Sequence, residues 1–138
     1  MLILVNLGAN GGKGAARWGT VEAELRARGI SFDARETKRA ADARRILAET
    51  KDPVVVAAGG DGTVNGTLNA ILELGRTGLT LGAIGLGSSN DFHKPFAPER
   101  TLAGLPVCLD ATRARVVDVG KATLFEGGTE RVRYFLMN

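Results

Sequence analysis

Residues 54–65, Val-Val-Val-Ala-Ala-Gly-Gly-Asp-Gly-Thr-Val-Asn, constrain this chain more than any other stretch. The small apolar run from Val54 to Ala58 suits a strand covered on both faces, as in a parallel sheet. Gly59, Gly60 and Gly62 then remove the side chains that would keep another molecule away from the backbone, and Asp61 is the one carboxylate left among them. Thr63 is placed to cap a helix running from Val64 to about Leu74, with Gly75 as its stop. Strand, glycine turn and helix N-terminus together form a cradle for phosphate, because unpaired N–H groups and the helix dipole both favour an anion. Two familiar glycine loops are excluded: the spacing is not GxGxxG, and no GxxxxGK[ST] follows a strand anywhere in the chain.

The flanking sequence repeats the same grammar. Leu2 to Val5 reads as a first buried strand ending at Asn6, and the loop from Leu7 to Gly14 leads into a helix with Trp18, Val21 and Leu25 at helical spacing. A second strand is expected over Ile30 to Glu36, with Ile30, Phe32 and Ala34 on one face and Thr37 closing it. A helix follows over about Ala40 to Glu49, and Leu79 to Ile84 is a fourth strand. Strands alternating with helices predict βαβ units and a three-layer, Rossmann-like α/β fold with a mostly parallel sheet. The fourth strand ends in a second glycine-polar loop, Gly85 to Lys94, at the edge where open α/β sheets bind ligands. A short helix is expected over Pro98 to Asp110, then a β-hairpin, Arg113 to Leu124 and Arg131 to Met137, around Glu126-Gly127-Gly128.

The 138 residues suffice for one domain with a genuine core. Nineteen glycines, about twice the usual frequency, gather largely in the loops after apolar runs. A net charge of +3 is too mild for a dedicated nucleic-acid binder and suits anionic small molecules or an anionic membrane surface. One cysteine, Cys108, excludes an internal disulfide and a cysteine-rich metal site and fits a reducing compartment. The opening Met1 to Val5 lacks the length and basic start of a signal peptide, and no apolar run approaches a membrane span, so a cytoplasmic location is expected.

Gly59-Gly60-Asp61-Gly62-Thr63, with Asn65, Leu68 and Asn69, resembles the GGDGTxNExxN signature of the diacylglycerol-kinase-like lipid kinases, whose relatives include sphingosine, ceramide and NAD kinases. Gly87-Ser88-Ser89-Asn90-Asp91-Phe92 resembles their GTxNDF. Asn6 and the loop to Gly14 are similar to NPxxGxGKG, with Leu7 in place of the proline and Asn10 in place of the first glycine. Thr37 sits where the family has a threonine, Val117-Asp118-Val119-Gly120 resembles V-D-x-G, and Phe135 to Asn138 resembles F-x-x-N. The resemblance covers essentially the whole chain, with the two glycine motifs in the family's order.

This resemblance implies an enzyme that transfers the γ-phosphoryl group of ATP, with Mg²⁺, to a hydroxyl of a diacylglycerol-like lipid. Asp61 becomes the candidate catalytic base or holder of water around Mg²⁺. Asn6, Thr37, Gly59, Gly60, Asp61, Gly62, Thr63, Gly87, Ser88, Asn90 and Asp91 become candidate nucleotide contacts. Asp91 is a candidate Mg²⁺ holder through water, and Lys94 falls where the family has an arginine able to meet phosphate or lipid. The only histidine, His93, reads as a loop residue, and Lys38, Arg39, Arg44 and Arg45 as a solvated helix face.

Two departures shape the expectations. Gly66 stands where the family usually has Glu, which removes half of a capping box from Thr63 and costs about 0.8–1.0 kcal/mol relative to Ala in a helix. The family's β-rich C-terminal domain, the second wall of the cleft, is absent from residues 1–138, so the isolated chain is expected to bind ATP but phosphorylate no lipid. Transient contact with the inner membrane surface and a homodimer through the exposed edge complete the expected partners. An NAD-kinase-like enzyme, which shares GGDG but usually continues differently, is one alternative. A non-catalytic nucleotide-binding or assembly module is the other.

Overall fold

The structure, a computed structural model, describes residues 1–95 and 100–136. Four parallel strands, β1 (Leu2–Val5), β2 (Asp33–Glu36), β3 (Val54–Gly59) and β4 (Thr80–Gly85), alternate with helices α1 (Gly14–Ala27), α2 (Ala40–Glu49) and α3 (Asp61–Glu73). Two short antiparallel strands, β5 (Thr101–Leu102) and β6 (Leu105–Cys108), extend the sheet to six in the order β2-β1-β3-β4-β6-β5. One-turn 3-10 helices occupy Asp91–His93 and Ala111–Arg113. The chain then forms a separate antiparallel hairpin, β7 (Gly120–Glu126) and β8 (Thr129–Phe135). The α/β class and the mostly parallel sheet are those the sequence predicts.

Successive strand residues face opposite sides of a sheet, and the core divides accordingly. Ile3, Val5, Val56 and Ala58 pack with Trp18, Val21 and Leu25 of α1, while Leu2, Leu4 and Val55 pack with Ala43, Ile46 and Leu47 of α2 and Ala70 and Ile71 of α3. Helices therefore cover both faces, and continuous apolar runs in β1 and β3 are required because neither strand has a wet side. Ile30, Phe32 and Ala34 join the α1-side core as expected, and Phe32 meets Trp18 edge-on with ring centroids 6.2 Å apart.

Several local expectations are corrected. Regular β2 begins at Asp33, and β4 lies one residue later than expected. The expected helix over 98–110 is a β-hairpin in its described part: Ala103 and Gly104 both have positive φ and turn β5 back onto β6. Residues 98 and 99 lie outside the described residues. The final hairpin forms where expected but its first arm is shorter, with residues 114–119 outside any strand, and Met137 lies outside the described residues. Gly127 and Gly128, at φ +56° and +78°, supply the mirror-image two-residue turn that matches strand twist. Asn69 joins the hairpin to α3 through both amide atoms: Asn69 Nδ2 donates to Tyr134 O at 2.8 Å, and Tyr134 N donates to Asn69 Oδ1 at 2.9 Å. Arg133 adds an ion pair to Glu73 at 3.6 Å.

Thr63 does not cap α3. Gly60 is the N-cap in extended backbone and the helix starts at Asp61, so Thr63 is already inside its first turn. The expected Thr63–Gly66 half-box therefore has no helix start to close. Thr63 instead folds back over Gly59, where a Cβ would lie 2.2 Å from the threonine hydroxyl, and that hydroxyl accepts from Asn6 Nδ2 at 3.2 Å.

Candidate functional site

β1, β3 and β4 end side by side, so Asn6, the loop after Gly59 and the loop after Gly85 share one edge of the sheet. Asn6 ties three pieces together. Its N–H donates to Ala58 O at 2.8 Å, its Nδ2 donates to Thr63, and its Oδ1 accepts from Gly8 N at 3.0 Å. Thr37 is buried beside this edge and donates its N–H to Val5 O at 2.8 Å.

The two glycine loops touch. A Cβ on Gly87 would lie 2.5 Å from Gly60 Cα, a backbone clash, so only glycine permits this approach. Leu86 N and Gly87 N both donate to Gly59 O, at 2.9 and 3.3 Å. Asn90, itself left-handed at φ +51°, folds its side chain back into the second loop: Oδ1 accepts from Gly87 N at 3.1 Å, and Nδ2 donates to Gly87 O at 3.1 Å. Asn tolerates that conformation better than most residues.

Asp61 crosses between the loops. Its Oδ1 accepts from Phe92 N at 3.0 Å, and its other oxygen has no hydrogen-bond partner among the described residues. The first helix N–H groups have no intrahelical acceptor. Those of Thr63 and Val64 turn back to Gly60 O, at 2.9 and 3.2 Å, and the N–H groups of Asp61 and Gly62 at this end of α3 have no acceptor among the described residues. Ser88 is exposed and makes no hydrogen bond among the described residues. Asp91 and Lys94 form an exposed ion pair with each other, and Asp91 holds the lysine pKa above its ordinary value.

Beside the first loop lies a shallow cavity of about 110 Å³, lined by Asn6, Thr37, Gly62, Thr63 and Gly66 on one side and by Lys38, Arg39 and Ala40 on the other. A Cβ on Gly66 would meet nothing within 4 Å, so the missing side chain leaves open space. Lys38 and Arg39 are exposed, and their N–H groups donate to Asp42 Oδ2 at 2.9 and 3.0 Å, which closes the start of α2.

Arg17 is the residue that sequence reasoning passed over. From α1 it donates to Leu86 O at 3.0 Å and Gly87 O at 2.6 Å, and Asn10, with its amide oxygen turned to the guanidinium, accepts from it at 3.1 Å. One side chain thus ties the Leu7–Gly14 loop to the second glycine loop. An arginine on a helix carries no sequence mark of such a bond. His93 is likewise corrected: it is 2% exposed in the 3-10 turn, edge-on to Phe92, and burial pushes its pKa below the usual histidine value.

Residues 1–122 match the sequence profile of the diacylglycerol kinase catalytic domain, a span containing both glycine loops, Asn6, Thr37 and Asp61. The chain belongs to the diacylglycerol kinase catalytic domain family. Among the curated relatives of this lipid kinase domain, the protein named probable lipid kinase YegS from Escherichia fergusonii is 37% identical over 90 residues, covering 62% of this chain and 28% of that protein. Its namesake from Salmonella arizonae is 37% identical over 91 residues with the same coverage. A crystal structure of a diacylglycerol kinase from Bacillus anthracis superposes with a TM-score of 0.61 at 28% identity, covering 75% of this chain and 39% of that one. The domain therefore spans less than half the length of each of these proteins. No helix among its described residues is long and apolar enough to cross a membrane.

Proposed function

We propose that this domain is the nucleotide-binding part of an ATP-dependent lipid kinase. The observation that carries the reading is the backbone contact of Gly60 with Gly87, bridged by Asp61 to Phe92 N, at the C-terminal edge of a parallel sheet. Two side-chain-free loops joined there offer a seat for phosphates that approach the backbone directly, with the Asp61 and Gly62 N–H groups as donors. Gly59, Gly60, Gly62 and Gly87 shape that seat, while Asn6, Thr63 and Asn90 hold its loops in place. Ser88 and Thr37 border it, and Lys38 and Arg39 face the adjoining cavity from the turn before α2.

Asp61 keeps one carboxylate oxygen for the chemistry. In the proposed reaction a lipid hydroxyl oxygen attacks the γ-phosphorus, the bond to ADP breaks, and Asp61 takes or orients the hydroxyl proton. Mg²⁺ fits this donor set, since it is held by one or two carboxylates together with phosphates and keeps several waters. Where Asp61 does not take the proton, its free oxygen would instead hold the ion through water, and the ion would neutralise phosphate charge. Asp91 is the weaker holder because Lys94 already occupies its carboxylate. Lys94, paired in this way, serves an incoming phosphate only by giving up Asp91. The lipid acceptor, a diacylglycerol-like alcohol, is proposed to be aligned by a second wall outside residues 1–138. Transient contact with the inner face of a membrane, at a cytoplasmic location, belongs to the same proposal.

Calorimetric titration of the purified chain with ATP and Mg²⁺ tests the reading. Saturable binding that Gly87→Ala weakens supports it. A folded sample with no nucleotide affinity at millimolar concentration sinks it, and preference for NAD over ATP favours an NAD-kinase-like enzyme.

A further inference from the structure

Arg17 lacks what a half-buried cation usually has. Its guanidinium donates only to neutral acceptors: Leu86 O at 3.0 Å, Gly87 O at 2.6 Å and the Asn10 amide oxygen at 3.1 Å. None of the ion pairs among the described residues includes it. The first turn of α1, from which it projects, holds no acidic residue. That end of a helix carries the positive pole of the dipole and disfavours a cation. Charges drawn out of water are normally paired, because the lower dielectric makes an unpaired one costly.

The bond to Gly87 O also sets a direction. In a trans peptide the carbonyl and the N–H that follows it point opposite ways. Anchoring Gly87 O on the guanidinium therefore turns the Ser88 N–H away from Arg17. That N–H has no acceptor among the described residues, and Ser88 is exposed. The amide before it is already engaged, since Gly87 N donates to Gly59 O at 3.3 Å and to Asn90 Oδ1 at 3.1 Å. A carbonyl bonded to a guanidinium polarises its peptide, which makes the N–H on the far side a stronger donor.

We propose that Arg17 is a positioning residue for the phosphates of the nucleotide: it orients and polarises the Gly87–Ser88 peptide so that the Ser88 N–H meets a phosphate oxygen, and its own charge is balanced when the phosphates arrive. This rests on the reading of the glycine loops as a nucleotide site and assigns a role there to a residue outside both loops. Gly87 lies against Gly60, so the carbonyl that Arg17 holds belongs to the same seam as the start of α3. Arginine suits the task better than lysine, because its planar fork reaches two carbonyls and an amide at once.

Calorimetric titration of the purified 138-residue chain with ATP, ADP and AMP, each with Mg²⁺, tests the proposal. Arg17→Met is expected to weaken ATP by about tenfold, ADP by less and AMP least, the graded loss that a charge acting on phosphates requires. Arg17→Lys keeps the charge without the fork, and its losses should fall between those of Arg17→Met and the unaltered chain. The Ser88 amide in a proton–nitrogen NMR spectrum gives a second readout. Its proton should move downfield on addition of ATP, and by less in Arg17→Met. Circular dichroism checks each fold, and Arg17→Gln, which keeps an amide donor for Gly87 O, replaces Arg17→Met if that variant does not fold. Equal losses for the three nucleotides would reduce Arg17 to a shaper of the loop. Unchanged ATP affinity in Arg17→Met, or a Ser88 amide that ATP does not move, would also overturn the assignment. If the unaltered chain binds no nucleotide, the nucleotide reading falls with it, whereas any of the other results beside normal ATP binding sinks the role of Arg17 alone.

Discussion

The Phe92 N–H donates to Asp61 Oδ1 at 3.0 Å, joining residues 31 apart in the chain. The bond runs from the first turn of α3 to the 3-10 turn beyond β4. The carboxylate proposed for chemistry therefore also holds the second glycine loop against the first. Its two oxygens differ: one is fixed by the fold, and the other has no hydrogen-bond partner among the described residues.

Asp61→Asn separates those duties. The asparagine retains an acceptor for Phe92 N–H, so the expected loss in unfolding free energy is below about 1 kcal/mol, whereas Asp61→Ala removes the acceptor and costs about 1–3 kcal/mol. Urea denaturation measures both. Asp61→Asn should also leave ATP affinity within a few-fold while nearly abolishing phosphoryl transfer in a catalytically complete version of the protein. Full transfer by that variant would remove Asp61 from the chemistry.

Two glycine-to-alanine changes should move stability in opposite directions. Gly87→Ala places a methyl 2.5 Å from Gly60 Cα, where only backbone movement relieves the clash, and a loss of about 1–3 kcal/mol is expected. Gly66→Ala meets nothing within 4 Å inside a helix, and a gain of about 1 kcal/mol is expected. Thermal midpoints read the signs directly. A destabilised Gly66→Ala variant would mean that α3 does not run through Gly66 as described.

Asn69→Leu should release the hairpin and spare the sheet. The side chain is nearly isosteric, but both hydrogen bonds to Tyr134 vanish, and a two-stranded hairpin is at best marginal by itself. Hydrogen exchange should quicken across residues 120–135 while β1 and β3 remain protected. Unchanged protection in the hairpin would show that other contacts hold it.

Acid should loosen the start of α2. The N–H groups of Lys38 and Arg39 hold the Asp42 carboxyl below its ordinary pKa of 3.8. A depressed carboxyl contributes stability above its unfolded value and loses that contribution as pH falls through the lower folded value. Asp42→Asn should therefore flatten the stability profile below about pH 4 and leave the rest of the curve in place. Denaturant midpoints across that range check it, and identical acid slopes in both proteins would contradict it.

The parallel core was legible because its strands are fully buried: Leu2 to Val5 and Val54 to Ala58 are apolar without alternation, and each is followed by glycines. Both glycine loops were legible for the same reason. The hairpin at 101–108 was not. Leu102, Leu105 and Leu109 repeat at helical spacing, and the left-handed Ala103 that reverses the chain is a residue that seldom adopts that conformation. Thr63 misled because threonine is a good cap, whereas here it is spent on Asn6 and Gly59. Arg17, Phe92 N and Asn69 act across 69, 31 and 65 residues, and no local pattern encodes such reach.

The contact of Gly60 with Gly87 leaves no gap between the loops, and Asn90 and Arg17 brace the second loop from behind. Such a seam cannot work as a pair of jaws. Displacing either lip drags the other, so the phosphate proposed to bind here would meet one ledge rather than two movable lips. Closure over that ledge, wherever it occurs, has to be brought by something that moves toward it.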